Sequence, residues 1–389
     1  MYKNIDIKMN DMTFELHNVD ISVVNAIRRV ILSELECIAI ENVNYTINTG
    51  IINNDIILQR LQLIPFKNYN INKIGYNNIE IIFKQLNEEN YIKTYYSKDL
   101  IFKNIKTGNL IKHSDLLVYD NIPLLILKPN HKIEFTAEFG IGNTYTGGNK
   151  FCPVSVCYYT YMRNKKLIND IITELKKLNT FADKVLETED NMDAIEDLRK
   201  SYINFKYKSQ SKHIDKMLDE LNIIYNEYDS NDDADLYDFS RKMGLKVKEI
   251  SINSFYNSEA DRIYYNNIFQ FTIESNGLYN VKDLPNMAID LLYKKLDSIQ
   301  NDILSDVIII EKNKQIGYNI KIINEDDTIG NLISSHIYKS ERYSGYYKPH
   351  ELDNIIVFTI DMPTEKEVKN VFIDGIDDLK KKLTKLKIK

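Results

Sequence analysis

The stretch GIGNTYTGGNK, from Gly140 to Lys150, has glycine spacing that could do chemistry, because glycine-rich turns can cradle phosphate groups. A phosphate-binding loop needs a lysine directly after the glycine that closes a four-residue gap. Gly142 and Gly147 have that gap, but Gly148 stands where the lysine is required. A dinucleotide fingerprint fails as well, since Tyr145 occupies its third glycine position. The stretch therefore favours a flexible or closely packed loop over a nucleotide site.

The acidic segment YDSNDDADLYD nearly matches a calcium-binding loop. Asp229, Asn231 and Asp233 stand at alternate positions, as the oxygen ligands of such a loop do. Ala234 replaces the glycine of the turn, and Ser240 replaces the bidentate glutamate. A solvated loop is the better interpretation.

The cysteines and histidines give no pattern typical of a metal or catalytic centre. Cys37, Cys152 and Cys157 form no Cys-x-x-Cys pair, and the histidines stand in no metalloprotease motif. An odd number of cysteines suits a reducing compartment. We therefore expect an intracellular protein with no metal, no cofactor and no catalytic residue of its own.

Composition narrows the classes further. A chain of 389 residues with 43% hydrophobic residues predicts two or three domains. The 56 acidic residues outnumber the 50 basic ones, so no overall positive field would hold a nucleic acid. We find no signal peptide and no run long enough to span a membrane. The lysines of the C-terminal KKKLTKLKIK are interpreted as the wet face of a helix, with nucleic-acid contact as the alternative.

An internal repeat organises the elements that would position any site. The segments VDISVVNAIRRVI and EDDTIGNLISSHI each open with an aspartate and a hydroxyl residue able to cap a helix, followed by apolar residues at helical spacing. The matching pairs are Asp20 and Asp326, Ser22 and Thr328, Val23 and Ile329, Asn25 and Asn331, Ile27 and Ile333, and Ile31 and Ile337.

A second pair of segments follows the same order. FTIES begins at Phe271 and FTIDM begins at Phe358, each with strand-like alternation, and an amphipathic helix follows both. Leu292 and Leu296 lie on the apolar side of the first helix, and Phe372 and Leu379 on that of the second. The order helix, strand, helix thus occurs twice, which predicts two related modules.

The predicted fold class is α+β with two such modules. The first module comprises residues 1–43 plus 241–303, and the second comprises residues 304–389. A mainly β inserted domain at 44–163 and a helical hairpin at 164–240 interrupt the first module.

These segments resemble a known family. NAIRRVILSELECIAIENV and LQRLQLIPF resemble the alpha subunit of bacterial RNA polymerase and its eukaryotic and archaeal counterpart, the third largest subunit. The second module resembles the smaller eleventh subunit, most specifically from Gly345 to His350. One chain carrying both resembles the fused subunits of large nucleocytoplasmic DNA viruses. The chain departs from the eukaryotic pattern in lacking a zinc-binding cysteine cluster, and Val24 stands where the family often has glycine.

The resemblance implies a non-catalytic assembly scaffold of a DNA-directed RNA polymerase. The modules would form an intramolecular heterodimer, with Arg28 and Arg29 facing a large subunit. Its partners would be the two largest subunits and a small subunit like the tenth, with DNA contacted only through the complex and no membrane. A viral source would place it in host cytoplasm and in the virion. The alternative is a free-standing interaction or nucleic-acid-binding protein that reuses the dimerisation fold. The dimer core would contain Ile27, Ile31, Leu292, Leu296, Ile333, Ile337, Phe372 and Leu379.

Overall fold

The computed structural model describes residues 2–187, 260–308, 310–313, 317–338, 344–351 and 353–388, with isolated positions between 193 and 256. The chain divides into two compact units, of which one is Met1–Thr160 with Gln270–Lys389 and the other is Tyr161–Phe269. Helices and strands are both abundant in the described residues, so the predicted α+β class is confirmed.

The elements of the first part of the chain are β1 (Tyr2–Lys8), β2 (Asp11–His17), α1 (Ile21–Ser33), β3 (Cys37–Asn48), α2 (Asn54–Gln62), α3 (Asn68–Ile74), β4 (Ile79–Leu86), β5 (Lys93–Tyr96), β6 (Ile101–Asn104), β7 (Leu110–Ile111), α4 (His113–Leu116), β8 (Pro123–Leu127), β9 (Lys132–Gly142), α5 (Thr144–Gly147) and β10 (Val154–Arg163). Those that follow are α6 (Lys165–Glu187), β11 (Tyr264–Ser275), α7 (Leu284–Leu304), β12 (Ile310–Lys312), β13 (Tyr318–Ile323), α8 (Asp327–Tyr338), β14 (Ser344–Tyr347), β15 (Ile355–Ile360) and α9 (Glu365–Lys385).

Two four-stranded sheets within the described residues share one topology. The first has the order β1-β2-β11-β10, and the second has the order β12-β13-β15-β14. Helix α1 follows β2 in the first module, and α8 follows the equivalent strand β13 in the second. Helix α7 likewise follows β11, and α9 follows the equivalent strand β15. The prediction of two related modules is therefore confirmed.

Alternation of side chains explains how each sheet buries one face. In β2, Met12, Phe14 and Leu16 are buried, and the Phe14 ring stacks on Phe271 of β11 with centroids 5.1 Å apart. In the second sheet, Phe358 of β15 packs edge-on against Phe372 of α9 at 5.1 Å. Because strand side chains alternate between faces, each sheet presents one apolar face to the helices of its module.

The inserted domain is built on a five-stranded sheet of order β3-β9-β4-β6-β7 and a two-stranded sheet of β5 and β8. Its bounds in the structure differ from the predicted 44–163. β3 already begins at Cys37, and β10 at 154–163 lies in the sheet of the first module. Alternation identifies a strand but does not say which sheet it joins, so the sequence could not assign β10.

The second unit contains α6, the first helix of the predicted hairpin. Its apolar stripe is buried at Ile168, Ile171, Leu175 and Leu178. The rest of the predicted hairpin, from residue 188 to 240, lies outside the described residues apart from isolated positions, and so does the acidic segment at 228–238. No helix in the described ranges is long and apolar enough to cross a membrane.

Candidate pairing interface between the two modules

The helices of the two modules pack against one another. Helix α1 contacts α7 inside the first module, and α8 contacts α9 inside the second. Across the modules, α1 contacts α8 and α7 contacts α9, which closes a cycle of four contacts. Each apolar residue that the sequence placed in the core is at most 1% exposed, namely Ile27, Ile31, Leu292, Leu296, Ile333, Ile337, Phe372 and Leu379. Burying these apolar faces stabilises the packing of the four helices through the hydrophobic effect.

Helices α7 and α9 can be aligned so that their buried positions match. Leu292 corresponds to Leu379, and Leu296 to Leu383, and all four side chains are buried. The cross-module contacts then join each helix to its own equivalent, as expected for an approximate two-fold axis.

Polar contacts follow the same two-fold relationship. Gln300 of α7 donates through Nε2 to Asp377 Oδ1 of α9 at 2.9 Å. The equivalent residues of the opposite helices, Lys387 and Asp290, form an ion pair with each other. Reciprocal contacts of this kind are the mark of an isologous interface.

The predicted helix caps are present. Asp20 Oδ1 accepts a hydrogen bond from the backbone N–H of Ser22 at 2.9 Å. Asp326 Oδ1 accepts one from the backbone N–H of Thr328 at 2.8 Å. Each bond satisfies an N–H group that has no partner inside its helix.

The guanidinium of Arg29 lies across the module boundary. Its Nη2 donates to Asp326 Oδ2 and its Nε donates to Thr328 Oγ1, both at 2.7 Å. The neighbouring Arg28 instead donates from Nε and Nη2 to Asn25 of its own helix, at 3.1 and 3.0 Å. No pattern in the sequence indicated this intramolecular role of Arg29, and a contact of either arginine with a partner stays a prediction.

The electrostatics of Asp326 follow from these contacts. Burial by itself raises the pKa of this carboxyl, but hydrogen bonds from Thr328 and the adjacent Arg29 guanidinium outweigh it and hold the pKa below its usual range. Asp326 is therefore ionised at neutral pH, as a partner of Arg29 should be.

Lys295 of α7 binds one carboxylate from each module. Its Nζ lies 2.6 Å from Glu34 Oε2 and 3.1 Å from Glu325 Oε2. Burial by itself lowers the pKa of Lys295, but Glu325 and Glu34 together raise it. The pKa of Glu325 is also raised, chiefly by burial, with Glu34 and Asp326 adding to it against the opposing effect of Lys295. The single ammonium group of Lys295 thus forms ion pairs with two carboxylates.

A cavity of about 590 Å³ adjoins this cluster, and loops of the inserted domain line it with both modules. The glycine-rich stretch reaches it: Asn143 caps the short helix α5, and Tyr145 Oη donates to Asn354 Oδ1 of the second module at 2.7 Å. The stretch forms protein contacts that its glycine spacing did not indicate. In the described part of the chain, no group of three or more histidine, cysteine or acidic residues could hold a metal ion.

Lys380 of α9 is buried at the contact with α7. It is 7% exposed, and its Nζ lies 2.6 Å from Asp297 Oδ1 and 5.4 Å from the centre of the Tyr293 ring. The interpretation of the C-terminal lysines as a wet helix face is wrong for Lys380, because the helix turns this position towards α7.

Comparison with known proteins identifies the modules. The family profile of the RNA polymerase Rpb3/Rpb11 dimerisation domain matches residues 13–296, and a second profile of that description matches residues 318–389. The chain belongs to the Rpb3/Rpb11 dimerisation-domain family. It carries two such domains, which correspond to the two modules that pair in the structure.

Individual members of the Rpb3 family are similar over different lengths. The DNA-directed RNA polymerase subunit Rpo3 of Methanobrevibacter smithii is 33% identical over 161 residues, which cover 39% of this chain and 54% of that protein. RNA polymerase II subunit rpb3 of Dictyostelium discoideum is 27% identical over 44% of this chain and 63% of its own. The subunit 3B of RNA polymerases IV and V of Arabidopsis thaliana is 26% identical over 80% of this chain and 92% of its own. The match thus spans less than two thirds of the first two relatives and nearly all of the third.

Proposed function

We propose that this chain is a non-catalytic assembly scaffold of a DNA-directed RNA polymerase, an intramolecular heterodimer on which the two large catalytic subunits assemble. The observation that carries the proposal is the pairing of two Rpb3/Rpb11 domains through α1, α7, α8 and α9 inside one chain. Joining the modules covalently raises the effective concentration of each around the other, so the platform forms without a bimolecular step.

The proposed partners are the two largest polymerase subunits and a small subunit like the tenth, with DNA reached only through the complex. Arg28 supports a partner surface, because its guanidinium donates to Asn25 of its own helix, whereas that of Arg29 is engaged with Asp326 of the second module. From the resemblance of this two-domain chain to fused viral subunits, we further propose that it is virus-encoded, acts in the host cytoplasm and is packaged in the virion.

The test is co-expression of the chain with the two large subunits from the same genome, followed by size-exclusion chromatography with light scattering. We expect a three-subunit complex, and we expect Arg28→Glu to weaken it at least about tenfold. Arg29→Glu is avoided because it would also break the contact with Asp326. Lys106→Glu, an equal charge reversal on an exposed turn of the inserted domain, is the matched control.

Failure of the chain to bind either large subunit in this experiment would overturn the proposal. If that chain also bound DNA with strong salt dependence, the alternative of a free-standing nucleic-acid-binding protein would replace it.

A further inference from the structure

The surroundings of Lys380 differ from those of every other lysine at the α7–α9 contact. This side chain is almost fully buried, and its ammonium group contacts three residues of α7: the ring of Tyr293, the carboxylate of Asp297 and the amide oxygen of Gln300. A buried charge is tolerated only with such compensation.

Lys380 of the second module contacts the residue that stands at the equivalent position of the first module. In the register that pairs Leu292 with Leu379, the residue equivalent to Lys380 is Tyr293. Residues at equivalent positions can contact each other only close to the two-fold axis, so Lys380 and Tyr293 both lie beside it. The same register makes Thr384 the equivalent of Asp297, and Lys387 the equivalent of Gln300.

Burying Lys380 in a symmetric pair of second modules would therefore be energetically unfavourable. In such a pair its three contacts would be replaced by Lys380, Thr384 and Lys387 of the other copy. The buried ammonium group would lose its counter-ion and its aromatic face, and it would gain a like charge at the axis. Like charges and unpaired buried charges both disfavour association strongly.

We infer that Lys380 disfavours pairing of the second module with a second copy of itself and so directs it to the first module. Such a selection of the pairing partner does not depend on whether the chain serves a polymerase. The first module has no such barrier, because a symmetric pair of first modules would bring Tyr293 against Tyr293 at the axis.

The experiment uses the full chain with a protease site inserted after Val307, which is 67% exposed in the segment between the modules. The folded chain is cleaved, both parts are dissociated in urea and refolded together, and native mass spectrometry counts the pairs. The mixed pair that reforms in each sample is the internal control for folding.

Two substitutions lift the barrier by different routes. Lys380→Tyr copies the residue of the first module, and Thr384→Asp gives Lys380 a carboxylate in the symmetric pair while leaving Asp297 in place. We expect each to raise the proportion of second-module homodimer at least about tenfold over the unaltered chain. Lys381→Tyr, the same change at the neighbouring lysine whose side chain is 72% exposed, should leave it unchanged.

Two results would overturn the inference. One is a homodimer of second modules that forms as readily in the unaltered chain as in the variants. The other is a Lys380→Tyr or Thr384→Asp chain that loses mixed pair without gaining homodimer, since Lys380 would then only stabilise the pairing it is in.

Discussion

Arg29 in the first module donates to Asp326 in the second at 2.7 Å, and Asp326 is the residue whose other carboxylate oxygen accepts from the first turn of α8. The start of a helix in one module is thus fixed by a side chain of the other. An arginine–aspartate ion pair cannot form at the equivalent place on the other side of the approximate two-fold axis, because Ser335 stands at the position equivalent to Arg29. The pairing is therefore asymmetric in its charges although it is symmetric in its fold.

Replacing Arg29 with alanine should lower the free energy of unfolding by about 1 to 2 kcal/mol, because Thr328 and Asp326 each lose a hydrogen bond in a partly buried site. Urea denaturation followed by circular dichroism measures it. Arg28→Ala is the control, and it should change stability by less than about 0.5 kcal/mol, since its bonds to Asn25 lie within one helix. Equal effects of the two substitutions would contradict a special role of Arg29.

The stability gained from Asp326 should disappear in acid. A carboxyl with a lower pKa in the folded chain than in the unfolded chain adds stability above its unfolded pKa of about 4, and this stability is lost as the pH falls through the folded value. The difference in unfolding free energy between the unaltered chain and Asp326→Asn should therefore be constant from about pH 7 to 5 and shrink below about pH 4. A difference that stays constant down to pH 2 would rule out this linkage.

The neighbouring Glu325 should behave in the opposite way. Its pKa is raised in the folded chain, so it costs stability at neutral pH, and that cost vanishes as the pH falls through the folded pKa to about 4. Glu325→Gln should gain stability relative to the unaltered chain as the pH rises from about 4 to 7. The same denaturation series measures it, with Glu351→Gln on an exposed turn of the second module as the control.

The buried faces of α7 and α9 should contribute similar amounts to the free energy of unfolding. Leu292→Ala and Leu379→Ala should each lower the free energy of unfolding by about 2 to 5 kcal/mol, because each leaves a cavity between the modules. Leu304→Ala removes the same atoms from a side chain that is 56% exposed at the end of α7, and it should cost less than about 1 kcal/mol. A large effect at only one of the two core leucines would argue against shared burial.

Gly330 in α8 should resist substitution by alanine. A Cβ atom there would lie 2.6 Å from two ring atoms of Tyr346, so Gly330→Ala should cost about 1 to 3 kcal/mol despite the better helix propensity of alanine. Adding Tyr346→Ala should recover part of the loss. Gly345→Ala is the matched control, because a Cβ atom at that position meets nothing within 4 Å.

Local sequence patterns were enough to predict the repeat and the buried helix faces. The capping residues Asp20 and Asp326, the periodicity that buries Ile27 and Ile333, and the strands that begin at Phe271 and Phe358 are local patterns. Local patterns are readable because helices and strands impose their own periods on neighbouring residues. The order of these elements predicted two modules, and the shared sheet topology confirms it.

The contacts between residues far apart in the chain could be found only from the folded structure. Strand β10 joins the sheet of the first module, Arg29 reaches Asp326, and Lys380 is buried against Tyr293 and Asp297. Nothing near these positions in the sequence indicates their partners. Each contact depends on how α1, α7, α8 and α9 pack across the approximate two-fold axis, and that packing is set by apolar faces separated by up to several hundred residues of chain.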